Sequence, residues 1–162
     1  MKKAGFSIIE IVIVIAIVGL LVGVGVPAAR EFNRRQTANN FHNEMIADIR
    51  NLQTSVASGE RSGCTGNFLG GEISFIQTAG RVSAYSLQKV CSGGTAVVLN
   101  KTVPESVTVT TNRGTNPANI RFLPLERGTD VGLGNPFIIT TAPVGANYSL
   151  SLSITQTGEI AE

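Results

Sequence analysis

The feature that most constrains this chain is an apolar run near its start. Ile11 to Val26 is a stretch of sixteen residues without a polar side chain, and the mainly apolar segment from Phe6 to Val26 has twenty-one residues. A helix of that length is sufficient to cross a bilayer core of about 30 Å. Lys2 and Lys3 precede the run, and this order is typical of an exported chain whose start stays on the cytoplasmic side. We therefore predict one membrane-spanning helix.

Glu10 is the anomaly in this segment. A carboxylate at the centre of a membrane helix costs about 2.5–3.5 kcal/mol on insertion scales. Such a group needs a partner or a purpose, because it is strained in lipid until a cation neutralises it. We therefore expect Glu10 to favour assembly with another molecule.

The residues Gly5-Phe6-Ser7-Ile8-Ile9-Glu10, followed by an apolar helix, resemble the cleavage and methylation signal of type IV prepilins and of type II secretion pseudopilins. The usual form has Thr-Leu-Ile-Glu after the Phe, so Ser7 and Ile8 are mild departures. The resemblance covers about thirty residues of the chain. It implies that a prepilin peptidase cleaves after Gly5 and that Phe6 becomes the N-methylated first residue. It also implies that Glu10 pairs with the terminal amine of a neighbouring subunit.

In fold, the resemblance implies an α+β protein in which a long N-terminal helix, its first half transmembrane, packs on an antiparallel β-sheet head. The corresponding divisions are a leader at 1–5, an assembly helix at 6–27, an amphipathic half-helix at 28–59 and a head at 60–162. The implied partners are other pilin or pseudopilin subunits, the peptidase, the membrane, an inner-membrane assembly platform and a motor ATPase. The implied location is the inner membrane with the head outside, and then an extracytoplasmic filament.

Two simpler interpretations remain for the same segment. A secretory signal peptide would be cleaved after Val26-Pro27-Ala28, leaving a soluble protein that starts at Ala29, but the run is longer than the usual 7–15 residues and carries Glu10. A plain signal anchor explains the length but neither Glu10 nor Gly5. Sequencing of the mature N-terminus distinguishes the three, since they give methylated Phe6, Ala29 and Met1.

Composition leaves room for one domain beyond the anchor and argues against nucleic acid as a partner. About a hundred residues follow the helical part, which is enough to bury a modest core. The chain has 13 basic and 11 acidic residues, so removal of Lys2 and Lys3 leaves 13 − 2 = 11 of each and a formally neutral protein. A neutral chain without tryptophan offers little for phosphate binding or base stacking.

The two cysteines, Cys64 and Cys91, both lie beyond the apolar segment. An even pair in an exported domain indicates a disulfide, which would restrain the unfolded chain by about 3–4 kcal/mol. Metal ligation needs more ligands at suitable spacing, and redox chemistry usually uses Cys-x-x-Cys. We favour the disulfide and predict neither a metal nor a cofactor.

Beyond Pro27, where we expect the helix to kink or loosen, apolar residues recur at helical spacing. The steps after the first gap are 3, 4, 4, 3 and 4, which is the period of an amphipathic helix. Gly59 is a natural helix stop. The positions are Phe32, Ala38, Phe41, Met45, Ile49, Leu52 and Val56.

After Gly70-Gly71 the pattern changes to short runs rich in Val, Ile, Thr, Phe and Tyr, separated by Gly and Pro. With no second long helical pattern, this favours an antiparallel assembly packed on the helix. A short last strand follows the turn at Gln156–Glu159. The predicted runs are Glu72–Gln77, Arg81–Val90, Ala96–Val103, Ser106–Thr111, Asn119–Leu123, Pro136–Thr140 and Tyr148–Thr155.

The chain has little from which to build an enzyme. His42 is the only histidine and lies among polar neighbours, so we interpret it as a solvated side chain, and we interpret Glu44 and Asp48 in the same way. We predict a structural filament subunit, and a filament-displayed binding module such as an adhesin or DNA-uptake minor pilin is the alternative. The head resembles H-type minor pseudopilins and related minor pilins. However, the acidic ending Gly158-Glu159-Ile160-Ala161-Glu162 argues against DNA capture, and a major pilin, a pilus or a secretion system all remain open.

Overall fold

The computed structural model describes residues 7–124, 128–132 and 134–162, and the side chains at positions 22, 24, 25 and 27 lie outside that description. One long helix precedes the strands in the described chain. The chain is therefore an α+β protein, as its sequence pattern predicts. The elements are α1 Ile8–Ala57, β1 Phe68–Thr78, β2 Arg81–Cys91, β3 Gly94–Thr102, β4 Val107–Thr111, β5 Ala118–Phe122, β6 Phe137–Pro143, β7 Leu150–Ile154 and β8 Ile160–Ala161.

The strands form two four-stranded antiparallel sheets. Sheet A has the order β3-β2-β1-β5, and sheet B has the order β4-β6-β7-β8. Each predicted run overlaps one observed strand, whereas the division into two sheets was not predicted. Alternating side chains indicate which face of a strand is buried and say nothing about which strand lies beside it.

The helical stripe on α1 packs against strands of both sheets. Six of the seven predicted positions are buried, and the strand residues that face them include side chains with no exposed surface. Burial of a large aliphatic or aromatic side chain stabilises a fold by about 1.5–3 kcal/mol relative to exposure. The buried helix positions are Ala38, Phe41, Met45, Ile49, Leu52 and Val56, and the core strand residues include Ile73, Phe75, Ile120, Ile139 and Leu152.

The seventh position, Phe32, precedes the regular steps and is not part of the buried stripe. Its side chain is 65% exposed. The head first meets the helix further along, where the guanidinium of Arg35 lies 5.9 Å from the ring centroid of Tyr148. Phe32 therefore projects from α1 before the helix reaches the core.

Aromatic side chains join the helix to both sheets. The ring of Tyr85 in β2 lies 6.1 Å from the rings of both Phe41 in α1 and Phe75 in β1. Phe75 stacks in turn on Phe137 of β6 at 5.7 Å. Aromatic pairs at such separations contribute about 0.5–1.5 kcal/mol beyond their burial. The chain of rings runs from α1 through sheet A to sheet B.

Gly71 marks the closest approach of β1 to α1. A Cβ atom at this position would lie 2.5 Å from Cγ2 of Val56 and 2.9 Å from Cδ1 of Leu52. Real side chains do not approach so closely, so a larger residue would push the strand from the helix. The glycine pair that we interpreted as a boundary before the strands is therefore part of β1, where one of its members allows close packing.

The Cys64–Cys91 disulfide predicted from the sequence is confirmed. The two Cα atoms are 5.8 Å apart, and 27 positions separate the cysteines in the chain. Cys64 precedes β1 and Cys91 is the last residue of β2, so the closed loop encloses the whole β1–β2 hairpin. The bond thereby fixes the segment between α1 and β1 to the end of β2.

Candidate functional site

The residues predicted to direct processing lie at the start of the chain, around the first described residue, Ser7. Gly5 and Phe6 fall outside the described residues, so cleavage and methylation there stay predictions. Glu10 lies in the first turn of α1, and its backbone N–H donates to the carbonyl of Ser7 at 3.1 Å. The structure thus places the predicted assembly residue on a helix that begins at Ile8.

The first part of α1 presents an apolar surface that the head does not cover. Every described side chain from position 8 to 21 is classed as exposed. Ile8 is 83% exposed and Leu20 is 72% exposed, which is far above the value for a core residue. Between Ser7 and Ala29, Glu10 is the only charged residue. A single carboxylate therefore lies among bulky apolar side chains that have no cover within the described chain.

Within the described residues, no helix is both long enough and apolar enough to span a membrane. The membrane-spanning helix therefore stays a prediction from the sequence.

α1 continues through position 27 as α-helix. Pro27 does not end the helix, and the kink or loosening predicted there stays a prediction. The side chain at this position lies outside the description.

A cluster of charged groups joins α1 to strands β2 and β3 of sheet A. The Tyr85 hydroxyl donates to Asp48 at 2.8 Å, and the Lys101 amine donates to both Asp48 and Glu44 at 2.7 Å. Only 15% of the Asp48 side chain is exposed, so the interpretation of Asp48 as a solvated residue is wrong. Glu44, with 57% of its side chain exposed, agrees better with that interpretation.

The side chains of this cluster have the protonation states that their hydrogen bonds require. Burial and the neighbouring Asp48 raise the pKa of Tyr85, so its hydroxyl stays protonated and donates. Burial lowers the pKa of Lys101, but the hydrogen bonds and charges of Asp48 and Glu44 outweigh burial and raise it overall. Lys101 therefore stays charged and is not a general base at neutral pH.

A groove opens beside this cluster, between α1 and β3. It has a volume of about 460 Å³. One wall is the exposed side of α1 from Asp48 to Ser55, the other is the Ala96–Leu99 part of β3, and the end is formed by residues 60–63.

Lys89 lies at the inner end of this groove and is 3% exposed. Its amine donates to Glu60 at 3.0 Å and to the Ser62 hydroxyl at 3.0 Å. The hydrogen bonds from Ser62, Lys89 and Ser55 lower the pKa of Glu60 to about 2. The buried cation is neutralised by a residue of the loop that the disulfide holds.

His42 is buried, in contrast to the sequence interpretation. Its side chain is 2% exposed and Nδ1 lies 3.2 Å from the Thr141 hydroxyl oxygen in β6. Burial lowers the pKa of His42, and the negative charge of Glu162 opposes that shift. The interpretation failed because the neighbours of His42 along the helix are polar, whereas its neighbours in space are strands from the far end of the chain.

The face of sheet A that points away from α1 carries a polar network that was not predicted from the sequence. The Arg121 guanidinium donates to Glu72 at 3.0 Å, and the amides of Gln88 and Asn119 donate to the other oxygen of Glu72 at 2.9 and 3.2 Å. Ser74, next on this face, is 7% exposed. The alternation of polar residues in three strand runs was the available signal, but it required knowledge that β2, β1 and β5 are neighbours.

The groups in these clusters that could act as bases are held by hydrogen bonds within the head. His42 and the carboxylate of Asp48 are occupied by structural hydrogen bonds. Across the described residues, no group of three or more His, Cys, Asp or Glu side chains is arranged to hold a metal. The charges of these clusters are largely matched to one another.

The chain matches no protein-family model, no curated protein and no solved structure.

Proposed function

We propose that this protein is a structural subunit of a pilin-like filament, assembled through the N-terminal part of α1. The observation that carries the proposal is the exposed apolar surface from Ile8 to Leu21 that contains the lone carboxylate of Glu10. A globular protein does not keep such a surface in water, so it must be covered by lipid, by other chains or by both in turn. The resemblance of the residues around Phe6 to a prepilin signal favours a pilin-like filament as the assembly.

The physical role proposed for Glu10 follows from its surroundings. An uncompensated carboxylate among apolar side chains is unfavourable, and a cation supplied by a second subunit removes that penalty. The new amine of Phe6, exposed by cleavage after Gly5, is the cation that the resemblance implies. Pairing of the two would fix the axial position of one helix against the next, while the surrounding apolar side chains supply contact area.

The head, in this proposal, is the part that the filament displays. It is fixed to α1 by the buried stripe that ends at Val56 and by ion pairs such as Lys101 with Asp48. Force applied to the head is therefore transmitted into the helix and not into a flexible linker.

Co-assembly of two tagged copies tests the proposal. In a strain that expresses both copies with the other filament components, we expect Glu10→Gln to reach the membrane normally but to lose most of its cross-linking to the wild-type copy. Glu31→Gln is the matched control, because Glu31 is an exposed carboxylate on the same helix that pairs with Arg35 at 2.9 Å. Equal cross-linking of Glu10→Gln and wild type would contradict the proposal.

Processing supplies an independent test. We expect the mature chain to begin with methylated Phe6 and Gly5→Glu to accumulate with its leader attached. Intact-mass measurement and N-terminal sequencing report both results. A product that begins at Ala29 would contradict the proposal, because it would lack the whole assembly surface.

A further inference from the structure

Sheet A has one long open edge, and that edge is β3. β3 pairs with β2 on one side, and no described strand lies on its other side. The opposite edge of the sheet, the shorter strand β5, is covered at its end by residues 128–130. There the Asp130 N–H donates to the Arg121 carbonyl at 3.0 Å and the Leu123 N–H donates to the Gly128 carbonyl at 2.8 Å. Backbone groups on the outer side of β3 are therefore available to another strand.

Apart from one bulge, β3 also lacks the features that usually protect an edge. Gly94 to Asn100 contains neither a charged residue nor a proline. Val97 is 65% exposed and Val98 is 56% exposed. Lys101, which could guard the edge with its charge, is drawn towards α1 by its ion pairs with Glu44 and Asp48. Natural sheets normally place charge, proline or a covering segment at such positions.

A bulge limits how much of β3 can pair. Leu87 and Gln88 of β2 are opposite Leu99 and Val97, so Val98 is the additional residue in β3. A bulge twists the strand and interrupts the regular spacing of its backbone groups. The regular part on one side is Gly94–Val97, which is next to the groove. A short segment therefore fits this edge better than a long strand.

The groove determines the chemistry of the occupant. A strand added beside Gly94–Val97 would direct alternate side chains to the α1 side of the sheet, where the space of about 460 Å³ lies. The charges that border this space are already matched, since Lys89 pairs with Glu60 and Asp48 pairs with Lys101. A charged side chain would lose its hydration there and would find no unmatched counter-charge among these pairs. A small apolar side chain has no such desolvation penalty.

We infer that the β3 edge and the adjacent groove bind an extended, uncharged peptide segment of a partner protein by strand addition. Main-chain hydrogen bonds to Gly94–Val97 supply affinity, and alternate small apolar side chains that enter the groove supply selectivity. The inference goes beyond the proposed filament function and does not depend on it, because the edge belongs to the head and not to the first half of α1.

Binding of a defined peptide tests the inference. The probe is a capped heptapeptide of alternating Thr and Val with a fluorescent label, titrated by anisotropy against the full chain in neutral detergent micelles. We expect saturable binding that becomes at least tenfold weaker in Val97→Lys and in Val98→Lys. Ile76→Lys is the matched control, because Ile76 is an exposed apolar residue at 44% in the central strand β1 and its substitution should leave binding unchanged. A second heptapeptide, with Glu in place of Val, should bind at least tenfold more weakly to the wild type.

Hydrogen exchange locates the site without any substitution. On addition of the Thr–Val peptide, we expect slower exchange of backbone amides in the segment that contains Gly94–Val97 and no change in residues 8–21. Absence of saturable binding, equal binding by Val97→Lys, or protection confined to residues 8–21 would overturn the inference. A concentration-dependent dimer that Val97→Lys abolishes would also overturn it, by assigning the edge to a second copy of the chain. None of these results bears on cross-linking through Glu10, so failure here is distinguishable from failure of the filament proposal.

Discussion

The His42 Nδ1 atom lies 3.2 Å from the Thr141 hydroxyl oxygen, and both residues are almost fully buried where α1 crosses sheet B. The pair joins the amphipathic half of the helix to β6, and the two residues are 99 positions apart in the chain. An imidazole in such a place is stable when neutral and unfavourable when charged.

Stability should therefore fall as the pH decreases through the range in which histidine titrates. The pKa of His42 is lowered in the folded chain relative to its ordinary value of 6.5, so the unfolded chain takes up the proton first. The contribution is fully present above pH 6.5 and is lost as the pH falls from there to the lower folded pKa. Urea titrations at pH 8 to 5, followed by the fluorescence of the two tyrosines, measure this change. His42→Gln should flatten the profile in this range, and an unchanged profile would contradict the assignment.

Removal of the Asp48 carboxylate should destabilise the head. Asp48→Ala leaves the buried Tyr85 hydroxyl and the Lys101 amine without an acceptor they now share, so we expect a loss of about 2–3 kcal/mol in the free energy of unfolding. Glu44→Ala is the control, because it removes a contact of the same 2.7 Å length to Lys101 from a carboxylate that is 57% exposed. An exposed pair contributes about 0–1 kcal/mol. Urea titration compares the two, and equal losses would count against a special role for Asp48.

Ala79 should be replaceable with a gain in stability. It is the first residue of the two-residue turn between β1 and β2 and has a φ of 52°, a backbone conformation that asparagine and glycine adopt more readily. We expect Ala79→Asn to raise the free energy of unfolding by about 0.5–1 kcal/mol. Ala146, in the β6–β7 connection, has no positive φ, and Ala146→Asn should give no such gain. Thermal unfolding at equal protein concentration checks both substitutions.

Loss of the disulfide should destabilise the head but should not prevent it from folding. The loop closed by Cys64 and Cys91 spans 27 positions, for which the chain-entropy model gives about 3–4 kcal/mol. The double variant Cys64→Ser and Cys91→Ser should unfold at correspondingly lower urea concentration. It should also expose Lys89 to faster acetylation, since the loop that supplies Glu60 and Ser62 is no longer held. Acetylation at the wild-type rate would show that this loop is ordered without the bond.

The sequence predicted those features that depend on local pattern. The period of apolar residues from Ala38 to Val56 located the buried face of α1, and Gly59 marked its end within two residues. Runs of β-branched residues located the strands, and the even pair of cysteines indicated the bond. Each of these signals is contained in a short segment or follows from composition.

The features that the sequence did not predict depend on contacts between distant segments. His42 and Asp48 looked solvated because their neighbours along the helix are polar, but Thr141, Tyr85 and Lys101 arrive from strands far along the chain. The open edge of β3 likewise follows from strand order, which no local pattern specifies. Phe32 precedes the regular helical steps and is exposed because the head does not reach it.

The covalent loop between Cys64 and Cys91 has a mechanical consequence. Tension that enters the polypeptide beyond β2 and leaves through α1 passes across the sulfur atoms and bypasses β1 and β2. Those two strands therefore cannot be unzipped from their ends by pulling, and their hydrogen bonds carry none of the load. A head built in this way can lose its outer strands under strain and still keep the hairpin that borders β3 intact.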